Sequence, residues 1–246
     1  MALSNGVLVH GPTSWACAVR TDDGEIKVVA ERKKVSSDVE SPLVRGPLKL
    51  FEAVAFLPRL KRALPEARLP FERAQVLAAM VGSAVVIQGI RRSRLGDAAK
   101  ELLGGLLALT PAVLSLREGS LAAYHGAEHI AIGTYEHGET RAKEHERCGS
   151  HLVGPMLAST AAGNVLAAKL PPSARSAGRA VATVGAVAVS TELFAWMQRN
   201  PSHPLARVLA LPGHELQHRF ATAEPSAEQL EVAEAALRAC LELEDA

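Results

Sequence analysis

The spacing of apolar and polar residues divides the chain into segments of different kinds. Over 14–31, SWACAVRTDDGEIKVVAE, Trp15, Cys17 and Val19 alternate with smaller or polar residues. TDDG then offers a turn in which Gly24 can take positive φ, and IKVVA supplies a return strand, so a β-hairpin is predicted. A charged link follows at 32–42. Over 46–64 the period changes: Leu50, Val54, Leu57 and Leu60 recur every three or four residues, which predicts an amphipathic helix. Its Lys49, Arg59, Lys61 and Arg62 suit either a membrane surface or the cover of a soluble core. Near the end, SAEQLEVAEAALRACLEL at 226–243 predicts a soluble helix. Ser226 is its N-cap, and Leu230, Ala233, Leu237 and Leu241 form its apolar stripe.

Four apolar stretches lie between these ends, at 74–90, 102–116, 152–168 and 180–197. Each is shorter than, or just at, the roughly 20 residues of a membrane-spanning helix. Gln75 and Gln88 bracket the first, Pro111 interrupts the second, Asn164 sits in the third and Glu192 in the fourth. Mean hydropathy is only +0.10. Hydropathy thus leaves a membrane-spanning set and a buried helical bundle both open. The basic residues do not choose between them, because RRSR at 91–94 and Arg59 to Arg73 would put positive charge at both ends of the first stretch. The fold expected is mainly α: about four apolar helices over 46–197, a small N-terminal β-hairpin and a C-terminal amphipathic helix, in a single domain spanning 1–246.

Composition narrows the function class. Apolar residues make up 48% of the chain and aromatics 4%, so alanine and leucine must build the core. The 27 basic and 26 acidic side chains cancel to a formal charge of +1, which argues against a nucleic-acid partner. Cys17, Cys148 and Cys240 are too few and too scattered for a disulfide framework and fit a reducing compartment. No basic segment leads into an apolar core at the N-terminus, so no cleaved secretory signal is expected.

The candidate chemistry is concentrated in AYHGAEHIAIGTYEHGETRAKEHERCGSH, from Ala123 to His151. HGAEH has the form H-x-x-E-H. Residues four apart on a helix differ by about 40° around its axis, so His125 and His129 share a face and can bind one metal. Glu128 lies between them and can act as base toward a water, as in the inverted form of the H-E-x-x-H zinc signature. If the helix continues past Gly133, Glu136 falls within about 20° of the same face. His137, His145, Cys148 and His151 are within reach if the chain folds back, and zinc accepts imidazole, thiolate and carboxylate alike. Glu192, an acid in an apolar stretch, needs a partner or a metal unless it ends near the surface, and the inverted signature takes a downstream glutamate as third ligand. HELQH at 214–218 is a second His pair, without further ligands around it, and Pro212 and Gly213 suggest that a helix starts there. A polar structural face or a regulatory histidine cluster are the alternatives to metal binding.

AYHGAEH, YEHGE and ERCG, with GPTSWACAVRTDDGEI and SPLVRGPLKLFEAV before them and LALPGHELQHRFATAEPSAEQLEVAEAAL after, resemble the YqhQ-like family. This bacterial group of unknown function is described as predicted metal-dependent membrane enzymes. The chain departs from it in places: HERCGSHL stands where the family has H-P-R-C-G-T-S-F, Ile130 replaces a lysine, and the first glycine-rich strand is clipped to NGVLVHGP. The resemblance implies a multi-pass protein of the bacterial inner membrane with its His/Glu motif on the cytoplasmic side. It brings no substrate, and the buried-bundle alternative would be cytoplasmic. Two functions are expected on these grounds. One is a hydrolase using zinc or another divalent transition metal, with Glu128 catalytic and ligands drawn from His125, His129, Glu136, His145, Cys148 and Glu192. The other is a non-catalytic membrane or assembly factor with a closed structural metal site.

Overall fold

The computed structural model describes residues 1–33, 41–116 and 119–246, so most of the charged link lies outside the described residues. The chain opens with four strands, β1 (Ala2–Leu3), β2 (Gly6–His10), β3 (Ser14–Arg20) and β4 (Ile26–Arg32), paired antiparallel in sequence order. The expected hairpin is β3–β4, turning at Gly24 with φ 88°. Two further strands extend it into a sheet.

Helices follow: α1 (Pro42–Ala55), α2 (Leu57–Ala63), α3 (Ala74–Arg92), α4 (Asp97–Ala108), α5 (Thr110–Leu116), α6 (Ser120–His137), α7 (Val153–Ala168), α8 (Arg175–Arg199), α9 (Pro204–Leu216) and α10 (Ala227–Glu244). The single helix expected over 46–64 is two, separated at Phe56. Pro111 marks the joint between α4 and α5. α9 contains Pro212 inside it, so HELQH does not open a helix; it closes α9 and enters a π turn at Gln217–Ala221.

Strand alternation explains why the sheet is covered on both sides. Val7, Val9, Ala16 and Ala18 face α6 and α10, where they meet Tyr124, Ala127, Val232 and Ala236. The small side chains of Ala16 and Ala18 let α10 approach the sheet closely. Leu8, Trp15, Cys17 and Val19 face the other way, onto Phe56, Leu57 and Leu60. Full burial of Val232 alone is worth about 1.5–3 kcal/mol. α10 starts where expected: Ser226 Oγ accepts the N–H of Gln229 at 3.2 Å, and Gln229 Oε1 accepts that of Ser226 at 2.9 Å, a capping box.

The apolar stretches form two antiparallel hairpins, α3 against α4–α5 and α7 against α8. Among the described residues, three segments, Ala74–Arg92, Ala99–Leu116 and Arg175–Arg199, are long and apolar enough to cross a membrane. α7, with 16 residues, is shorter. Val81, Val85, Leu102, Val181 and Val184 on these helices are more than 60% exposed, unlike core residues. Asn164, buried within α7, donates to Glu101 Oε2 of α4 at 2.6 Å and so ties the hairpins together. Glu192 meets the demand of an acid on an apolar helix through Arg45 of α1, whose Nε donates to Glu192 Oε1 at 2.6 Å.

Candidate metal centre

α6 carries the H-x-x-E-H residues and runs unbroken through Gly133 to His137. Two glycines position it. At Gly126 a Cβ would lie 2.2 Å from the carbonyl oxygen of Ala223, so only glycine lets the chain after α9 cross α6 at this level. Gly138, with φ 72°, ends the helix in a left-handed turn and sends residues 139–151 back along it.

This return brings Cys148 to the two histidines. Cys148 Sγ lies 3.4 Å from His125 Nε2, and one ligand atom each from His125, His129 and Cys148 lie within 4.8 Å of one another. The rings of His125 and His129 are 4.3 Å apart at their centroids. Both are oriented by backbone. His125 Nδ1 donates to Ala221 O at 2.8 Å, and His129 Nδ1 donates to Lys143 O at 2.6 Å. A carbonyl oxygen only accepts, so the hydrogen sits on Nδ1 in each neutral ring. The Nε2 lone pairs are then left for a metal, the arrangement that raises the basicity of a ligating histidine.

Electrostatics agree with a cation-binding triad. Burial opposes the Cys148 thiolate, but hydrogen bonds from His125 and His129 and their positive charge outweigh it and hold the thiol at about 4. Burial likewise opposes the imidazolium of His125, yet the contact with Cys148 and the charge of Glu128 raise its pKa. Groups that share a proton so readily can share a metal cation in its place. Cys17, by contrast, is pushed up to about 12 by burial and is a core side chain.

Glu128 stands beside the triad. Its Oε1 pairs with the ammonium of Met1, while its buried Oε2 has no hydrogen-bond partner among the described residues. Burial raises its pKa, but the Met1 ammonium, His125 and His129 together bring it below the ordinary carboxylate value. A cavity of about 640 Å³ opens on these groups and is lined by His125, Glu128, His129 and Cys148.

The other expected ligands are distributed differently. Glu136 and His145 line the cavity but engage each other, His145 Nε2 to Glu136 Oε2 at 3.2 Å, and Glu136 also accepts from Arg147 at 3.1 Å. Glu192 is neither in the triad nor in the cavity lining; it is paired with Arg45, and the third donor beside the two histidines is Cys148. His137 Nδ1 bonds its own helix at Gly133 O, 2.9 Å away. His214 and His218 stack at 6.2 Å, with His218 held by Glu144 at 3.0 Å, and they contribute nothing to the triad. Sequence reasoning passed over Gln217. This fully buried side chain accepts from His145 N at 2.8 Å and donates to Ser150 Oγ at 2.7 Å, clamping the strand of chain that presents Cys148. Its one signal was a polar residue between the apolar positions of HELQHRF.

The profile of a family described as "Protein of unknown function (DUF1385)" matches residues 120–243, from the first residue of α6 into the last turn of α10. The match contains the whole triad, Glu128 and Gln217. No curated protein and no solved structure matches the chain. With half of its length under that profile, the chain belongs to DUF1385, the bacterial YqhQ-like family of unknown function.

Proposed function

We propose that this protein is a metal-dependent hydrolase of the membrane, with His125, His129 and Cys148 holding zinc or another divalent transition metal and Glu128 serving as general base. The observation that carries this reading is the pairing of a three-donor set with a Glu128 Oε2 that has no hydrogen-bond partner among the described residues, at the same cavity. Three protein ligands leave a coordination position open, as catalytic zinc sites do, whereas a structural site would close it with a fourth. His145 also lines the cavity, but its Nε2 is engaged by Glu136. Bound at the triad, a metal would lower the pKa of water and polarise a carbonyl or phosphoryl oxygen.

The chain's own groups do the rest. Ala221 and Lys143 hold the two imidazoles in one tautomer and orientation. Glu128 Oε2 takes a proton from the attacking water and returns it to the leaving group. The exposed apolar faces of the three long helices support a location in the bilayer, and the family resemblance favours the inner membrane with the site on its cytoplasmic side. Glu128→Gln tests the assignment, because it keeps shape and removes the base. Metal content and folding should persist while function, read by complementation of a deletion strain, falls as turnover drops by roughly 10²–10⁴-fold. Full complementation by Glu128→Gln would contradict catalysis.

A further inference from the structure

The cavity that faces the metal-binding groups shares a wall with an apolar helix. Ser115 and Leu116 line it, and they are the last residues of the Ala99–Leu116 segment that is long and apolar enough to cross a membrane. Pro70, which also lines it, lies just before α3, the partner of that segment in its hairpin. The two helices meet at this level, where Arg73 Nη1 donates to Ser115 O at 3.3 Å. The other hairpin also ends here: α7 starts at Val153, two residues after His151, and Gln198 of α8 donates to Glu146 O at 2.8 Å. The triad therefore sits where the apolar helices emerge, and its cavity runs onto the end of one of them.

The lining itself selects the chemistry. Leu116 adds an apolar side chain to the lining, and Leu121 and Ile132 lie seven residues before and four after Glu128 on α6, so they flank it on the same helix face. Among the described residues that line it, Arg147 is the one guanidinium; it is 69% exposed and held by Glu136. With a metal at the triad, the remaining charge of a phosphate would face the Glu128 carboxylate with no unengaged guanidinium among the described lining residues, whereas a neutral carbonyl on an alkyl chain carries no such charge.

Resting on the hydrolase reading, we propose that the substrate is a membrane amphiphile: a long alkyl chain ending in an ester or amide carbonyl. It enters from the bilayer along α5, laying its chain against Leu116, Leu121 and Ile132 with the carbonyl at the triad. Water adds its oxygen to the acyl carbon, and the bond from that carbon to the ester oxygen or amide nitrogen breaks. The proton taken up by Glu128 passes to that leaving atom. A carboxylic acid and an alcohol or amine result, and no oxidant or reductant is consumed.

Binding of non-hydrolysable metal chelators of different chain length tests this without any turnover. The full-length, zinc-loaded protein in detergent is titrated calorimetrically with acetohydroxamate and with octanohydroxamate. Each buried methylene is worth about fourfold in affinity, so the longer probe is expected to bind about 100-fold more tightly or better. Ile132→Asn is expected to cut that preference to below about tenfold. Equal affinity for the two probes in the wild-type protein would overturn the amphiphile assignment while leaving the metal site standing. Binding of neither would overturn the metal site, and this inference with it.

Discussion

Gln217 Oε1 accepts the backbone N–H of His145 at 2.8 Å, across 72 residues of sequence, and its Nε2 donates to the carbonyl of the same residue at 3.2 Å. The two bonds fix the segment that carries Cys148 to the π turn after α9. The same turn ends at Ala221, whose carbonyl orients His125. One short element thus sets both the thiol and one imidazole of the triad.

Gln217→Leu fills the same space but leaves the N–H of His145 without its partner. A buried donor left so costs about 1–3 kcal/mol, which thermal or denaturant unfolding would measure. Metal affinity is expected to fall by roughly 10–100-fold, as for other groups that orient ligands. Unchanged affinity would mean that Cys148 needs no such clamp.

The Cys148 thiol is held at about 4, far below its ordinary value, so in metal-free protein it is thiolate throughout the neutral range. Its alkylation by iodoacetamide should be nearly independent of pH from about 5 to 8 and should drop only as pH falls through about 4. Buried Cys17 and Cys240 should not compete. A midpoint near the ordinary thiol value of about 8.5 would contradict the contact with His125 and His129.

If Ala74–Arg92, Ala99–Leu116 and Arg175–Arg199 lie in the bilayer, the protein should stay with membranes through carbonate extraction and require detergent for release. Recovery as a soluble monomer without detergent would favour a helical bundle whose apolar faces are covered in another way.

What the sequence made legible follows the range of the interactions involved. His125, Glu128 and His129 were readable because their geometry is local: three- and four-residue spacing on a helix places them together whatever the rest of the chain does. Trp15, Cys17 and Val19 announced a strand for the same reason. Spacing alone does not separate Cys148 from Glu136, His145 and Glu192. The approach of Cys148 depends on the reversal at Gly138 and on Gln217, which spacing does not encode. Glu192 drew attention as a charge on an apolar helix, and that demand is met by Arg45, 147 residues away in sequence. The helix expected to start at Pro212 starts instead at Pro204 as α9, and the chain carries Pro212 within it as it widens into the π turn.

An open site with two imidazoles and one thiolate has a distinctive metal shell, which X-ray absorption at the zinc edge reads directly. Purified protein should hold about one zinc, with one sulfur at about 2.3 Å and two imidazole nitrogens at about 2.0–2.1 Å, completed by a light atom from solvent. His125→Ala combined with His129→Ala should abolish the signal, and Cys148→Ser should remove the sulfur alone. A shell without sulfur, or full metal content in the double histidine variant, would contradict the assignment.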